Sequence, residues 1–192
     1  MTRIKSTCLA LVALLLSPMA ANADQIAGFN GDYDVANWNE TITCLNDLAG
    51  GVDTSSAPNS IALVECDSNI DVTTGFVTFD ILAVADGIFS FDWNMGGFDW
   101  GYAEGGYILD GVLNFLSNNF NGDGESGSIS VAVLAGQTIG WYNQTYDNCC
   151  GTTALTISNF SAPIAAVPEP GTLALFGIGL LGMGLTRRKK KA

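Results

Sequence analysis

Residues 76–93 read Phe-Val-Thr-Phe-Asp-Ile-Leu-Ala-Val-Ala-Asp-Gly-Ile-Phe-Ser-Phe-Asp-Trp, and this stretch decides the fold class. Val77, Phe79, Ile81 and Ala83 fall on one side of an extended chain and Thr78 and Asp80 on the other, which is the two-residue period of a half-buried strand. Phe89, Phe91 and Trp93 repeat the pattern against Ser90 and Asp92, and Gly87, following Asp86, predicts a hairpin turn between the two runs. Working outward, Ile129, Val131 and Val133 alternate with Ser128, Ser130 and Ala132, and Leu155 and Ile157 with Thr156 and Ser158. Runs at 38–44, 61–66, 107–115 and 138–145 bring the expectation to about eight short strands, separated by Gly, Asn, Asp and Pro clusters. Residues 114–118 read alternatively as a short helical turn. The spacing predicts an all-β domain over 24–163, an antiparallel β-sandwich or jelly roll, with no long amphipathic helix.

The charge distribution bounds what such a domain can do. Both basic clusters lie at the ends of the chain, and from Asp24 to Thr186 there are nineteen acidic residues and no Lys, Arg or His, a formal charge of −19. Phosphate binding needs cations that release counterions, so nucleic acid and anionic lipid are excluded as partners. The same gap removes imidazole bases, Schiff-base lysines and arginine clamps, which argues against an enzyme. Paired carboxylates for glycoside hydrolysis depend on spatial separation, and abundance of acids is not evidence for them.

Residues 1–23 read as a Sec-type signal peptide. Arg3 and Lys5 form the positive start, residues 8–16 the apolar run, and Ala21-Asn22-Ala23 the small-residue site that predicts cleavage before Asp24. Export places the mature chain in an oxidising compartment with four cysteines, Cys44, Cys66, Cys149 and Cys150. Three pairings are open. Cys44 and Cys66 each end a short apolar run, which favours that bridge and leaves Cys149 and Cys150 as a vicinal pair in a turn.

Residues 164–192 form a second address. Val167, Pro168, Glu169 and Pro170 precede an uncharged segment, 171–186, and then Arg187, Arg188, Lys189, Lys190 and Lys191. Sixteen helical residues reach ~24 Å, short of the ~30 Å hydrocarbon core, which suits a temporary membrane helix. The basic tail stays cytoplasmic under the positive-inside rule, leaving the two prolines extended just outside the membrane. This order of elements resembles the PEP-CTERM sorting signal, a Pro-Glu-Pro motif, short transmembrane helix and basic tail recognised by an exosortase. The resemblance implies a substrate handled by signal peptidase and then exosortase. It also implies transient inner-membrane insertion, and final placement at the cell surface or in the matrix of a Gram-negative bacterium that makes exopolysaccharide and biofilm. Further blocks, Phe29-Asn30-Gly31-Asp32-Tyr33 through Trp38, residues 105–111, 126–141 and 155–163, resemble recurring stretches of exported PEP-CTERM ectodomains and carry no catalytic identity.

Two stretches have the residue types of a binding site. Asn119, Asn121, Asp123 and Glu125 place oxygens at alternate positions with Gly124 sixth, as in a calcium loop, but Ser130 stands where a bidentate Glu belongs. The loop reads first as a polar turn and second as a weak calcium site, the one cofactor the chain suggests. Asp32, Asp34 and Glu40 form another acidic group with the same two readings. Between Phe89 and Tyr107 aromatic residues crowd together; strand parity assigns Phe89, Phe91 and Trp93 to the core and leaves Trp100 and Tyr102 as candidates for stacking on sugar rings. Two function classes follow: a structural or adhesive protein of an exopolysaccharide matrix, and a carbohydrate-binding module assisted by calcium.

Overall fold

The computed structural model describes residues 24–44, 50–66, 74–98, 103–118, 123–146 and 151–165. Residues 1–23, read as a signal peptide, residues 166–192, which hold the expected sorting elements, and Cys149 and Cys150 lie outside the described residues. Ile164, assigned to the second address, instead packs against the core and donates its backbone N–H to the Asp24 carbonyl at 2.8 Å. Among those described, eleven strands form two antiparallel sheets: β1 Gln25–Ala27, β2 Asn39–Thr43, β3 Gly51–Asp53, β4 Ser60–Val64, β5 Gly75–Leu82, β6 Gly87–Phe98, β7 Ala103–Leu109, β8 Val112–Ser117, β9 Glu125–Val133, β10 Thr138–Thr145 and β11 Thr152–Pro163. The first sheet runs β3-β4-β11-β6-β9, with β1 beside one end of β11, and the second runs β2-β5-β10-β7-β8.

The sandwich class is as the periodicity predicts, but three local expectations are corrected. β5 and β6 do not form a hairpin at Asp86-Gly87; they belong to opposite sheets. Both strands bury one large apolar side, Val77 and Phe79 from one sheet and Phe89 and Phe91 from the other, and a crossover lets those sides face each other. Asp86 accepts a bond from the Ala135 backbone N–H at 2.8 Å, which ties this crossover to the β9–β10 connection. Second, residues 107–115 are not one strand. Asp110 and Gly111 take φ of +52° and +75°, the left-handed pair that a two-residue primed hairpin requires, and the chain turns back from β7 into β8. Third, residues 114–118 hold no helical turn among the described residues, since β8 runs to Ser117.

The core is a box of rings centred on Trp141, which is fully buried. Its centroid lies 5.1 Å from Trp38, 5.4 Å from Phe91, 5.5 Å from Phe89, 5.6 Å from Phe160 and 5.9 Å from Phe29. Trp38 is sandwiched between Trp141 and Phe79, the latter at 5.0 Å and 7°. It is delivered there by two short 3-10 turns, Gly31–Tyr33 and Val35–Asn37, the second capped by Asp34 through the Ala36 N–H at 3.0 Å. Tyr33 fixes this segment, donating to the Pro163 carbonyl at 2.8 Å while accepting from the Val84 N–H at 3.1 Å. The Phe29-to-Trp38 block is therefore a plug for one side of the core. At the far end, Cys44 and Cys66 form the expected disulfide, bridging β2 in one sheet to the end of β4 in the other.

Candidate functional site

Several predicted site residues, Trp100, Tyr102, Asn119 and Asn121, lie outside the described residues, as do Ala21, Ala23 and the sorting elements. Asp123 and Glu125 are exposed beside the start of β9. Asp32, Asp34 and Glu40 do not converge: Asp34 caps a 3-10 turn, and Glu40 accepts from the Val52 N–H at 2.8 Å, stitching β2 to β3. Among the described residues, no three His, Cys, Asp or Glu side chains come together as a metal site. Phe89 and Phe91 are buried in the core and Trp93 packs partly against it, as strand parity predicts.

The two outer faces of the sandwich differ in chemistry. On the first sheet β6, β9 and β11 present Ser90, Asp92, Asn94, Ser126, Ser128, Ser130, Thr156 and Ser158 in register. This is a flat surface of short polar side chains. Asp92 is held there as the charged form, its carboxyl below the usual range because Asn159 and Ser128 donate to it. A hollow nearby, at the irregularity in β11, is lined by Asn30, Asn59 and Asn159 together with Gly28, Pro58 and Phe160.

The outer face of the second sheet carries the aromatic groups. Strand alternation sends Trp141 into the core and Tyr142 to the opposite side of β10. There Tyr142 lies between Thr78 of β5 and Gly106 of β7, while Gly140 lies between Asp80 and Ile108. A β-carbon at Gly106 would approach the Tyr142 ring and the Asn114 carbonyl to 2.3 Å. Only glycine lets the tyrosine lie flat across the neighbouring strand. Phe76 stacks on the same ring at 5.8 Å and 26°.

Glu104 closes the group, accepting from the Tyr142 hydroxyl at 2.6 Å and from the Tyr146 hydroxyl at 2.7 Å through its other oxygen. Burial, then the bond to Glu104, pushes the Tyr142 hydroxyl well above its usual range. The Tyr146 hydroxyl, on a side chain that is 46% exposed, is also raised, chiefly by its bond to Glu104. Asp80, on the same face, is held above its usual range by partial burial, offset in part by a bond from Asn39. Both oxygens of Glu104 are committed to tyrosine hydroxyls and Tyr142 is 1% exposed, so of the two tyrosines it is Tyr146 that reaches the surface. Parity at Trp141-Tyr142 was the sequence signal for this group; the partners Glu104 and Phe76 come from neighbouring strands and had none.

Residues 166–190 match the PEP-CTERM protein-sorting motif. The chain is thus an exported protein with a C-terminal membrane-anchoring sorting signal. No curated protein matches it in sequence. Among solved structures, the chain is similar to the carbohydrate-binding module TmCBM61 in complex with β-1,4-galactotriose (11% identity over 71% of this chain and 94% of that one, TM-score 0.40). It is also similar to a family 35 carbohydrate-binding module from Clostridium thermocellum (8%, 70% and 98%, TM-score 0.32) and to the N-terminal cellulose-binding domain of Cellulomonas fimi β-1,4-glucanase C (7%, 68% and 90%, TM-score 0.32).

Proposed function

We propose that a chain ending in this sorting motif is a non-catalytic surface protein, cut by an exosortase and left at the cell surface or in the exopolysaccharide matrix of a Gram-negative bacterium. There its β-sandwich serves a structural or adhesive role. The match at residues 166–190 carries the reading. The domain fits such a place: it is disulfide-linked, closed around an aromatic core, and free of cations from Asp24 onward until the basic tail. Replacing Pro168, Glu169 and Pro170 by alanine in the host tests it. Full-length protein should accumulate in the membrane fraction at the expense of the surface and medium; an unchanged distribution overturns the reading.

A second reading, a glycan-binding face, is favoured by one observation: Phe76 and Tyr146 stand on an outer sheet face, backed by the buried Tyr142 and by Glu104. Eighteen carboxylates and no cation over residues 24–163 select a neutral glycan, because acidic polysaccharide is repelled. Calcium enters only with this reading, at Asn119, Asn121, Asp123 and Glu125. Retardation of the protein in gels containing the host's own polysaccharide should be lost in Phe76→Ala and Tyr146→Ala variants whose near-ultraviolet spectra are unchanged. Retention unaffected by both substitutions leaves the structural role alone.

A further inference from the structure

Among the described residues, the outermost strand of the second sheet, β8, pairs with β7 on one side and with no strand on the other. Natural sheets guard such edges with Lys, Pro, inward charges or shortness. None of these protects β8. From Gly111 to Gly122 the chain carries no charge and no proline, and Val112, Leu113 and Phe115 are 60%, 47% and 58% exposed. The other edges are better guarded: β2 carries Glu40, β3 carries Asp53, and β9 opens with Glu125 and turns serines outward.

The β8 sequence is also self-complementary. Val-Leu-Asn-Phe-Leu, residues 112–116, has the same apolar pattern read in either direction about Asn114. In an antiparallel pair centred on Asn114, Leu113 of each copy stands beside Phe115 of the other on the outer face, a cross-strand apolar pair of the kind that stabilises sheets. We propose that β8 is a homotypic interface, at which a second copy of this chain continues the sheet through a two-fold axis at Asn114. Residues 24–163 carry eighteen carboxylates and no cation, so copies of the domain repel one another, and their approach is least costly along an edge strand without carboxylates. One short strand gives a weak pair in dilute solution. Copies crowded on one surface meet at far higher effective concentration, which is where the sorting signal sends them.

The two-fold pairing brings the Asn114 α-carbons of two copies to about 4.5–5.5 Å, inside the range a disulfide spans. Purified exported protein carrying Asn114→Cys should therefore oxidise to a disulfide-linked dimer. The parent protein and a Thr41→Cys variant, with its cysteine on edge strand β2, should not. Adding Phe115→Asp to Asn114→Cys should reduce cross-linking at least about tenfold by placing an unpaired charge in the interface. Cross-linking at residue 114 no greater than at residue 41, or unaffected by Phe115→Asp, overturns the proposal.

Discussion

The Cys44–Cys66 bridge closes a loop of 22 residues, and its removal gives the fold a measurable test. Cross-linking stabilises chiefly by removing conformations from the unfolded chain, and for a loop of this size the chain-entropy relation gives roughly 3 kcal/mol. The position argues that most of this should be realised. The bridge joins the two sheets at the end where β2 leaves its sheet and β4 ends, and a β-carbon at Gly50 would meet both sulfur atoms at about 3 Å. The loop is thus packed against its own cross-link. For a domain of this size, roughly 3 kcal/mol corresponds to about 10 °C in melting temperature. The assay is thermal unfolding of the parent and of a Cys44→Ala, Cys66→Ala double variant, each with and without reductant. The variant should melt about 10 °C lower, and the parent should fall toward it when reduced. A variant that melts within about 2 °C of the parent would refute the reasoning, because the loop would then be held by packing alone.

Other expectations follow from the core and from the second sheet's outer face. Trp141→Ala removes a ring that touches five others and should cost about 3–5 kcal/mol, read from the denaturant midpoint. Gly106→Ala should cost about 1–3 kcal/mol, since a fixed backbone carbonyl blocks the new methyl and the Tyr142 ring must shift, which near-ultraviolet circular dichroism should register. Asp80 has a folded pKa above its ordinary 3.8. Its ionisation therefore opposes folding as pH rises through that range, and the cost persists at neutral pH. Asp80→Asn should melt above the parent at neutral pH and level with it at about pH 3; a gain that persists in acid would locate the effect elsewhere.

The parts of this fold that could be read from the chain are those that alternation alone determines. Residues 138–145 were legible to their ends, because Ile139, Trp141 and Asn143 face inward from a central strand with a partner on each side. The β5–β6 connection was not. Alternation says which side of a strand is buried, and a hairpin and a crossover bury the same residues. The β7–β8 turn was hidden for a related reason: apolar residues continue through Asp110-Gly111, and the turn chemistry was the stronger signal. β1 and β3 are three residues each, too short for any period to show. The outer aromatic group was legible only as parity at Tyr142. Glu104 lies 38 residues from Tyr142 and 42 from Tyr146, so register between strands, not local spacing, assembles it.

The intact mass of the protein recovered from the surface or medium of its own host tests the central claim most directly. A chain that begins at Asp24 and stops near Pro168 to Pro170, alone or with an added group at that end, is the predicted result. A chain in the membrane fraction that retains residues 171–192 would contradict it and leave an ordinary anchored protein.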